Sequence, residues 1–195
     1  MDHYLDIRLR LDPEVTSHQV LSALFSKLHI ALVKQDLHPI GVSFPEASVA
    51  DDGSTPPDSR TLGSCLRLHG AREALRRLME VPWLQGVRDH LNLGDVLPVP
   101  AQAMHRVVSR VQAKSSPERL RRRLQRRHGV DAAEAQRRIP DSVAKSLALP
   151  FLTLSSTSTA QRFHLFLQHG PLQKRATEGA FNGYGLSAQG TIPWF

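Results

Sequence analysis

The sequence predicts an α+β fold in two parts, and three observations point there. Apolar residues switch several times between a period of two and a helical period. Charge divides unevenly: residues 1–100 carry ten Lys/Arg against thirteen Asp/Glu, whereas residues 101–195 carry fifteen against five, so a mildly acidic scaffold precedes a basic half suited to an anionic partner. Within that half, residues 114–128 hold seven Lys/Arg and one Glu, nearly the whole formal excess of +7.

The elements follow in order. Residues 4–11 (YLDIRLRL) alternate, with Leu5, Ile7, Leu9 and Leu11 on one face and Tyr4, Asp6, Arg8 and Arg10 on the other, as in a strand with one buried side. Residues 17–35 turn helical, and Leu21, Leu24, Phe25, Leu28 and Leu32 make one stripe. Ile40–Phe44 reads as a second strand, ended by Pro45, and the polar run 46–60 as a mobile loop. Leu62–Leu68 alternates again, Ala71–Met79 is helical up to Val81-Pro82, and Val87–Leu93 reads as a fourth strand. The order βαββαβ is that of a ferredoxin-like, RRM-type domain, assigned to residues 1–98.

Leu97–Ala101, with Pro98 and Pro100, reads as a linker into a smaller α+β domain at 99–195. That domain opens on a strand at Arg106–Gln112, and Ala132–Arg138 is a short helix capped by Asp131. Phe151–Leu154 and Phe163–His169 read as strands, and the tail 179–195 is glycine-rich, then aromatic.

Between them lies the arginine-rich helix, 116–128. On a wheel of about 100° per residue, Arg119, Arg122, Arg123, Arg126 and Arg127 share one face. Leu120 and Leu124 lie beside each other off that face, and Arg121 points from the far side. Ser116-Pro117 supplies a cap and first turn, Ser115 with Glu118 offers a competing capping box, and Gly129 is a stop. A solvated basic face is the plain reading. Five arginines without interleaved acids repel each other unless an anion lies between them, and planar guanidiniums pair bidentately with phosphate and guanine edges. A-form RNA has a deep, narrow major groove, so such a helix enters only near the end of a short stem, which points to a hairpin. No RNP1-type pattern supports base stacking on an open sheet.

Other chemistry finds little support. No two of the ten histidines stand at i, i+4, and Cys65 has no Cys or His within three residues, so neither a metal site nor a disulfide is expected. There is no Walker loop, the tail glycines lack dinucleotide spacing, and no cofactor is expected. The lone cysteine, with no apolar leader or long apolar run, leads us to expect a soluble cytoplasmic protein without membrane contact. His29 sits about 40° from Phe25 at the rim of the helical stripe. A rim histidine commonly serves packing alone, yet it is also the side chain best suited to take a proton near pH 7. Tyr184, between Gly183 and Gly185, is either an ordinary core aromatic or a site residue with close backbone approach. The serines of LSSTS (154–158) read first as a turn or strand edge.

Together the stretches MDHYLDIRLR, LFSKLH, IGVSFP, SRVQAKSSPERLRRRLQRRH, RRIPDSVAKSLALPF, HGPLQ, YGLS and PWF resemble the repeat-processing endoribonucleases of type I-F CRISPR systems, Csy-type crRNA endonucleases with ferredoxin-like folds. The resemblance runs from the first residue to the last, and the SRVQAK–arginine-helix block is its most specific part. It implies metal-independent cutting of precursor crRNA at the 3′ base of a repeat hairpin, by 2′-hydroxyl attack that leaves a 2′,3′-cyclic phosphate and a 5′-hydroxyl. It further implies a monomer that keeps the mature crRNA within the type I-F surveillance ribonucleoprotein, alongside that assembly's other subunits. The catalytic set it implies is His29, Ser156 and Tyr184. Its base readers are Arg110 and Gln112, its groove residues Arg122, Arg123, Arg126, Arg127 and His128, and Phe163 stacks on the last pair. Lys114, Arg119 and Ser158 complete the expected RNA-binding set. Two positions depart: Ser155 stands where relatives carry arginine, and Gly183 where another side chain precedes the tyrosine. The competing readings are a non-catalytic hairpin-binding scaffold and a DNA-binding regulator, the latter without helix-turn-helix support.

Overall fold

The computed structural model describes residues 1–10, 12–35, 39–48, 60–112, 117–140, 149–155 and 162–195, and among these described residues nine strands and four α-helices form an α+β arrangement of antiparallel sheets. The elements are β1 (His3–Leu9), α1 (Ser17–Gln35), β2 (Gly41–Ser43), β3 (Cys65–Gly70), α2 (Arg72–Glu80), β4 (Leu91–Leu93), β5 (Leu97–Pro98), β6 (Met104–Val111), α3 (Pro117–His128), α4 (Ala132–Arg138), β7 (Phe151–Ser155), β8 (Arg162–His169) and β9 (Thr191–Trp194). The chain divides into two compact units, Met1–Val111 with Leu149–Phe195, and Gln112–Ala148. Among the described residues no helix is long and apolar enough to cross a membrane.

The first unit holds two sheets. In the first the order is β2-β3-β1-β4, every neighbour antiparallel. The alternation read in β1 is real: Leu5, Ile7 and Leu9 are buried, while Leu11 lies outside the described residues. Against them pack α1 and α2, through Leu21, Leu24, Phe25, Leu28 and Leu32 of α1 and Leu75 and Leu78 of α2. The opposite face is polar. Arg67 makes a two-pronged pair with Asp6 (2.6 and 2.9 Å), donates to the main-chain oxygen of Phe195 (3.0 Å) and lies over the Tyr4 and Phe195 rings. Buried His69 shares a hydrogen bond with Ser43 Oγ (2.8 Å).

Several boundaries differ from the sequence reading. The third strand begins at Cys65; Ser64 O still accepts the Leu9 N–H of β1 (2.8 Å), but the Ser64 main-chain N–H and hydroxyl both donate to the Glu46 carboxylate. Those two bonds, followed by Arg8, hold the Glu46 carboxyl below its usual range. The fourth strand is only Leu91–Leu93. Val87 N–H donates to Leu84 and His90 N–H to Val87, closing tight turns that place Arg88–His90 in a short 3-10 helix. Leu97–Pro98, read as the start of a linker, instead pairs with Tyr4 and His3. The proline lies in an edge strand, where its missing N–H costs no ladder bond.

The second sheet runs β7-β8-β6-β9. Its β9 carries no readable alternation: Thr191, Ile192 and Pro193 are all buried, and the strand sits at the edge beside β6, the place that tolerates Pro193. The N-terminal half of α1 reaches this sheet, where Ser22 Oγ accepts the Thr153 N–H (3.1 Å).

The second unit is a helix pair. α3 spans the predicted range from Pro117, with both proposed capping serines outside the described residues. It packs on α4, and Arg121, on its far side as predicted, donates to Ile139 O (2.7 Å). Asp131 caps α4 by accepting Glu134 N–H (2.7 Å).

The His69 imidazole is pushed down to about 3, chiefly by burial and then by the Arg67 charge. Unfolded, it takes a proton near 6.5. Below that pH the unfolded state therefore binds more protons, so the stability present above pH 6.5 is lost as pH falls toward 3. Over pH 4.5–6.5, His69→Gln should flatten the pH dependence of the urea-unfolding free energy by up to about 1.4 kcal/mol per pH unit.

Candidate active site and nucleic-acid interface

Helix α1 brings His29 to its rim because the stripe from Leu21 to Leu32 is committed to the core. The half-buried imidazole meets the segment 182–186, 154 residues further along the chain, where its Nδ1 lies 2.7 Å from Gly183 O. A carbonyl only accepts, so Nδ1 carries the proton and donates. In the neutral ring Nε2 is then left with its lone pair, the state of a base.

Tyr184 stacks on this imidazole, ring centroids 3.9 Å apart and planes at 11°, and its other neighbour Phe25 stands at 6.1 Å and 5°. Two glycines make the approach possible. A Cβ on Gly183 would fall 2.7 Å from Val33 Cγ2, and Gly185 adopts φ +69° with its carbonyl accepting Val42 N–H (2.9 Å). The departure at Gly183 thus has a steric reason in this chain.

An open cleft of about 930 Å³ runs beside the pair. It is lined by His18, Ser22, Ser26, His29 and Val33 of α1, by Thr153 and Ser155 of β7, by Arg162 and Phe163 of β8, and by Tyr184. His18 Nε2 lies 3.1 Å from Thr153 Oγ1. His164, stacked on Phe151 at 4.3 Å, is lowered below the usual histidine range by burial, then by His18. Cys65 belongs to the other sheet, and its thiol is pushed up to about 11, mainly by burial, which keeps it inert near pH 7. Among the described residues no three His, Cys, Asp or Glu side chains gather as a metal-holding group.

The sequence-predicted residues sort into three groups. His29, Tyr184, Phe163 and Arg110 come together: the Arg110 guanidinium lies 5.7 Å from the Phe163 ring centroid and 6.0 Å from that of Tyr184. Gln112 and the α3 residues Arg119, Arg122, Arg123, Arg126, Arg127 and His128 belong to the second unit, and all are exposed. Among the described residues none of Arg122, Arg123, Arg126 and Arg127 makes an ion pair, in contrast to Arg137 and Arg138 on α4, which share Glu134. Lys114, Ser156 and Ser158 lie outside the described residues.

Sequence reasoning missed Arg162. It sits directly across the β7–β8 ladder from Ser155 and gives the cleft a guanidinium there. Its only sequence signal is position, next to Phe163 at the start of a strand.

Gly183→Ala should lower the unfolding free energy by about 1–3 kcal/mol through overpacking. Adding Val33→Ala should recover most of the loss in the same urea titration, since it removes the atom the new methyl meets.

Comparison with known proteins gives a consistent picture. A family model described as CRISPR-associated protein (Cas_Csy4) matches residues 4–195. The chain is 56% identical over 196 residues to the CRISPR-associated endonuclease Cas6/Csy4 of Pseudomonas aeruginosa (strain UCBPP-PA14), covering 100% of both chains. It is 43% identical over 195 residues to the protein of the same name from Escherichia coli (strain UTI89 / UPEC), again over 100% of both.

Proposed function

The chain belongs to the CRISPR-associated Csy4 family, and we propose that it is a metal-independent endoribonuclease that binds the CRISPR repeat hairpin and cuts precursor crRNA once, at the 3′ base of the stem. The observation that carries this reading is the His29–Gly183–Tyr184 constellation, a histidine with its proton held on Nδ1 and its ring clamped by a tyrosine beside an open cleft. On the same reading the first sheet, with its β2-β3-β1-β4 order, is ferredoxin-like.

His29 Nε2 takes the proton of the ribose 2′-hydroxyl. The freed oxygen attacks its own 3′-phosphate, the bond from phosphorus to the 5′-oxygen breaks, and the leaving oxygen takes a proton from solvent, so the products are a 2′,3′-cyclic phosphate and a 5′-hydroxyl. Tyr184 prevents the imidazole from turning, which supplies positioning, and Ser156 holds the ribose. Arg162 offers its guanidinium to the phosphate oxygens as negative charge builds there. Arg110 and Gln112 read bases, Phe163 stacks on the last pair, and α3 grips the stem through Arg122, Arg123, Arg126 and Arg127. The mature crRNA stays bound to a monomeric protein within the surveillance ribonucleoprotein.

His29→Ala, assayed with a labelled repeat hairpin in EDTA, should cut about 10²–10⁴-fold more slowly while binding as tightly as wild type. A hairpin with hydrogen in place of the attacking 2′-hydroxyl should bind and stay intact. Unchanged cutting by the variant removes His29 from the reaction, and a wild-type protein that binds without one discrete cut is an RNA-holding scaffold.

Arg126→Ala should weaken hairpin binding and lower the slope of log affinity against log salt by about one, the signature of one lost phosphate contact.

A further inference from the structure

We infer that Asn182 is a positioning residue for His29, acting through the peptide unit between Gly183 and Tyr184. The inference deepens the proposed reaction and rests on it for its kinetic arm.

The Asn182 side chain is exposed, yet its Oδ1 accepts two main-chain N–H groups, from Tyr184 (2.8 Å) and Leu186 (3.3 Å). Its own main chain closes the same loop, Asn182 N–H donating to Leu186 O (2.9 Å) and Gly185 N–H to Asn182 O (2.8 Å). The important member is the bond to Tyr184. That N–H and the Gly183 carbonyl belong to one peptide group, which resonance keeps planar. Asn182 Oδ1 holds its N–H end, and its C=O end accepts the proton on His29 Nδ1 (2.7 Å). Fixing one end of a rigid plane fixes the other. Bonds in such a chain also polarise each other in the same sense, so the Gly183 oxygen becomes a better acceptor. The consequence reaches Nε2: the partner of one ring nitrogen decides which nitrogen carries the proton.

Removing Oδ1 frees the peptide plane, weakens the hold on Nδ1–H and lets neutral His29 populate the tautomer with its proton on Nε2, which leaves that nitrogen no lone pair for the 2′-hydroxyl proton. Asn182→Asp keeps the acceptor. Two measurements test this, the first on RNA-free protein labelled with ¹⁵N-histidine, using two-bond ¹H–¹⁵N correlation near pH 8.5. Wild type should show His29 protonated on Nδ1, Asn182→Ala a mixture of tautomers, and Asn182→Asp the wild-type pattern. The second is single-turnover cleavage of the repeat hairpin, where Asn182→Ala should lose roughly ten-fold and Asn182→Asp should stay within about three-fold of wild type.

A wild-type ring protonated on Nε2, or an unchanged tautomer in Asn182→Ala, overturns the inference whatever the rates do. That first result needs no variant to fold. If wild type cuts no hairpin, the proposed reaction fails while the spectra still decide the role of Asn182.

Discussion

Helix α1 has to satisfy two sheets at once, and the site follows from that constraint. Its stripe of Leu21, Leu24, Phe25, Leu28 and Leu32 is buried against the first sheet. Its adjoining polar rim, through His18, Ser22 and His29, faces β7 and the 182–186 turn. Rolling the helix about its axis to reorient His29 would expose several of those apolar side chains, each worth about 1.5–3 kcal/mol. The direction of the imidazole is therefore set largely by residues it never touches. Phe25 joins the two faces, since it packs with Phe44 in the core (5.9 Å) and stacks with Tyr184 in the site (6.1 Å).

The sequence showed most clearly those elements whose pattern follows from one buried face. β1, α1, α2 and α4 appear close to where periodicity puts them, and the arginine comb of α3 keeps its five guanidiniums exposed. Elements held in place by distant partners were harder to see. β9 carries a proline and has no alternation, and its reason for being a strand lies in β6, more than eighty residues earlier in the chain. β5 likewise exists because β1 has a free edge at His3 and Tyr4. The two prolines that look like breakers in one dimension are edge residues in three.

The site divides along the same physical line. His29 could be singled out because a histidine at the rim of an apolar stripe is the side chain best suited to take a proton near pH 7, and Tyr184 because glycines flank it. Asn182 gave no such signal: it works by holding main-chain groups, and an asparagine before a glycine reads only as a turn. Arg162 was hidden for a different reason, because a charged residue opening a strand is ordinary until the register places it opposite Ser155.

In the proposed reaction, gripping and cutting draw on different kinds of energy. On that proposal, contacts between the arginines of α3 and stem phosphates would not involve the bond that breaks, so they would be as strong in the product as in the substrate. Binding of that uniform kind deepens affinity without lowering the barrier. The barrier is left to the few groups that interact more strongly as charge develops, His29 Nε2 toward the 2′-hydroxyl and Arg162 toward the phosphate oxygens. On that proposal, breaking the chain downstream of the stem would remove little of what holds the RNA, so the product would leave slowly. Slow release limits an enzyme that must turn over repeatedly, but it suits one whose cut RNA is the part to be kept.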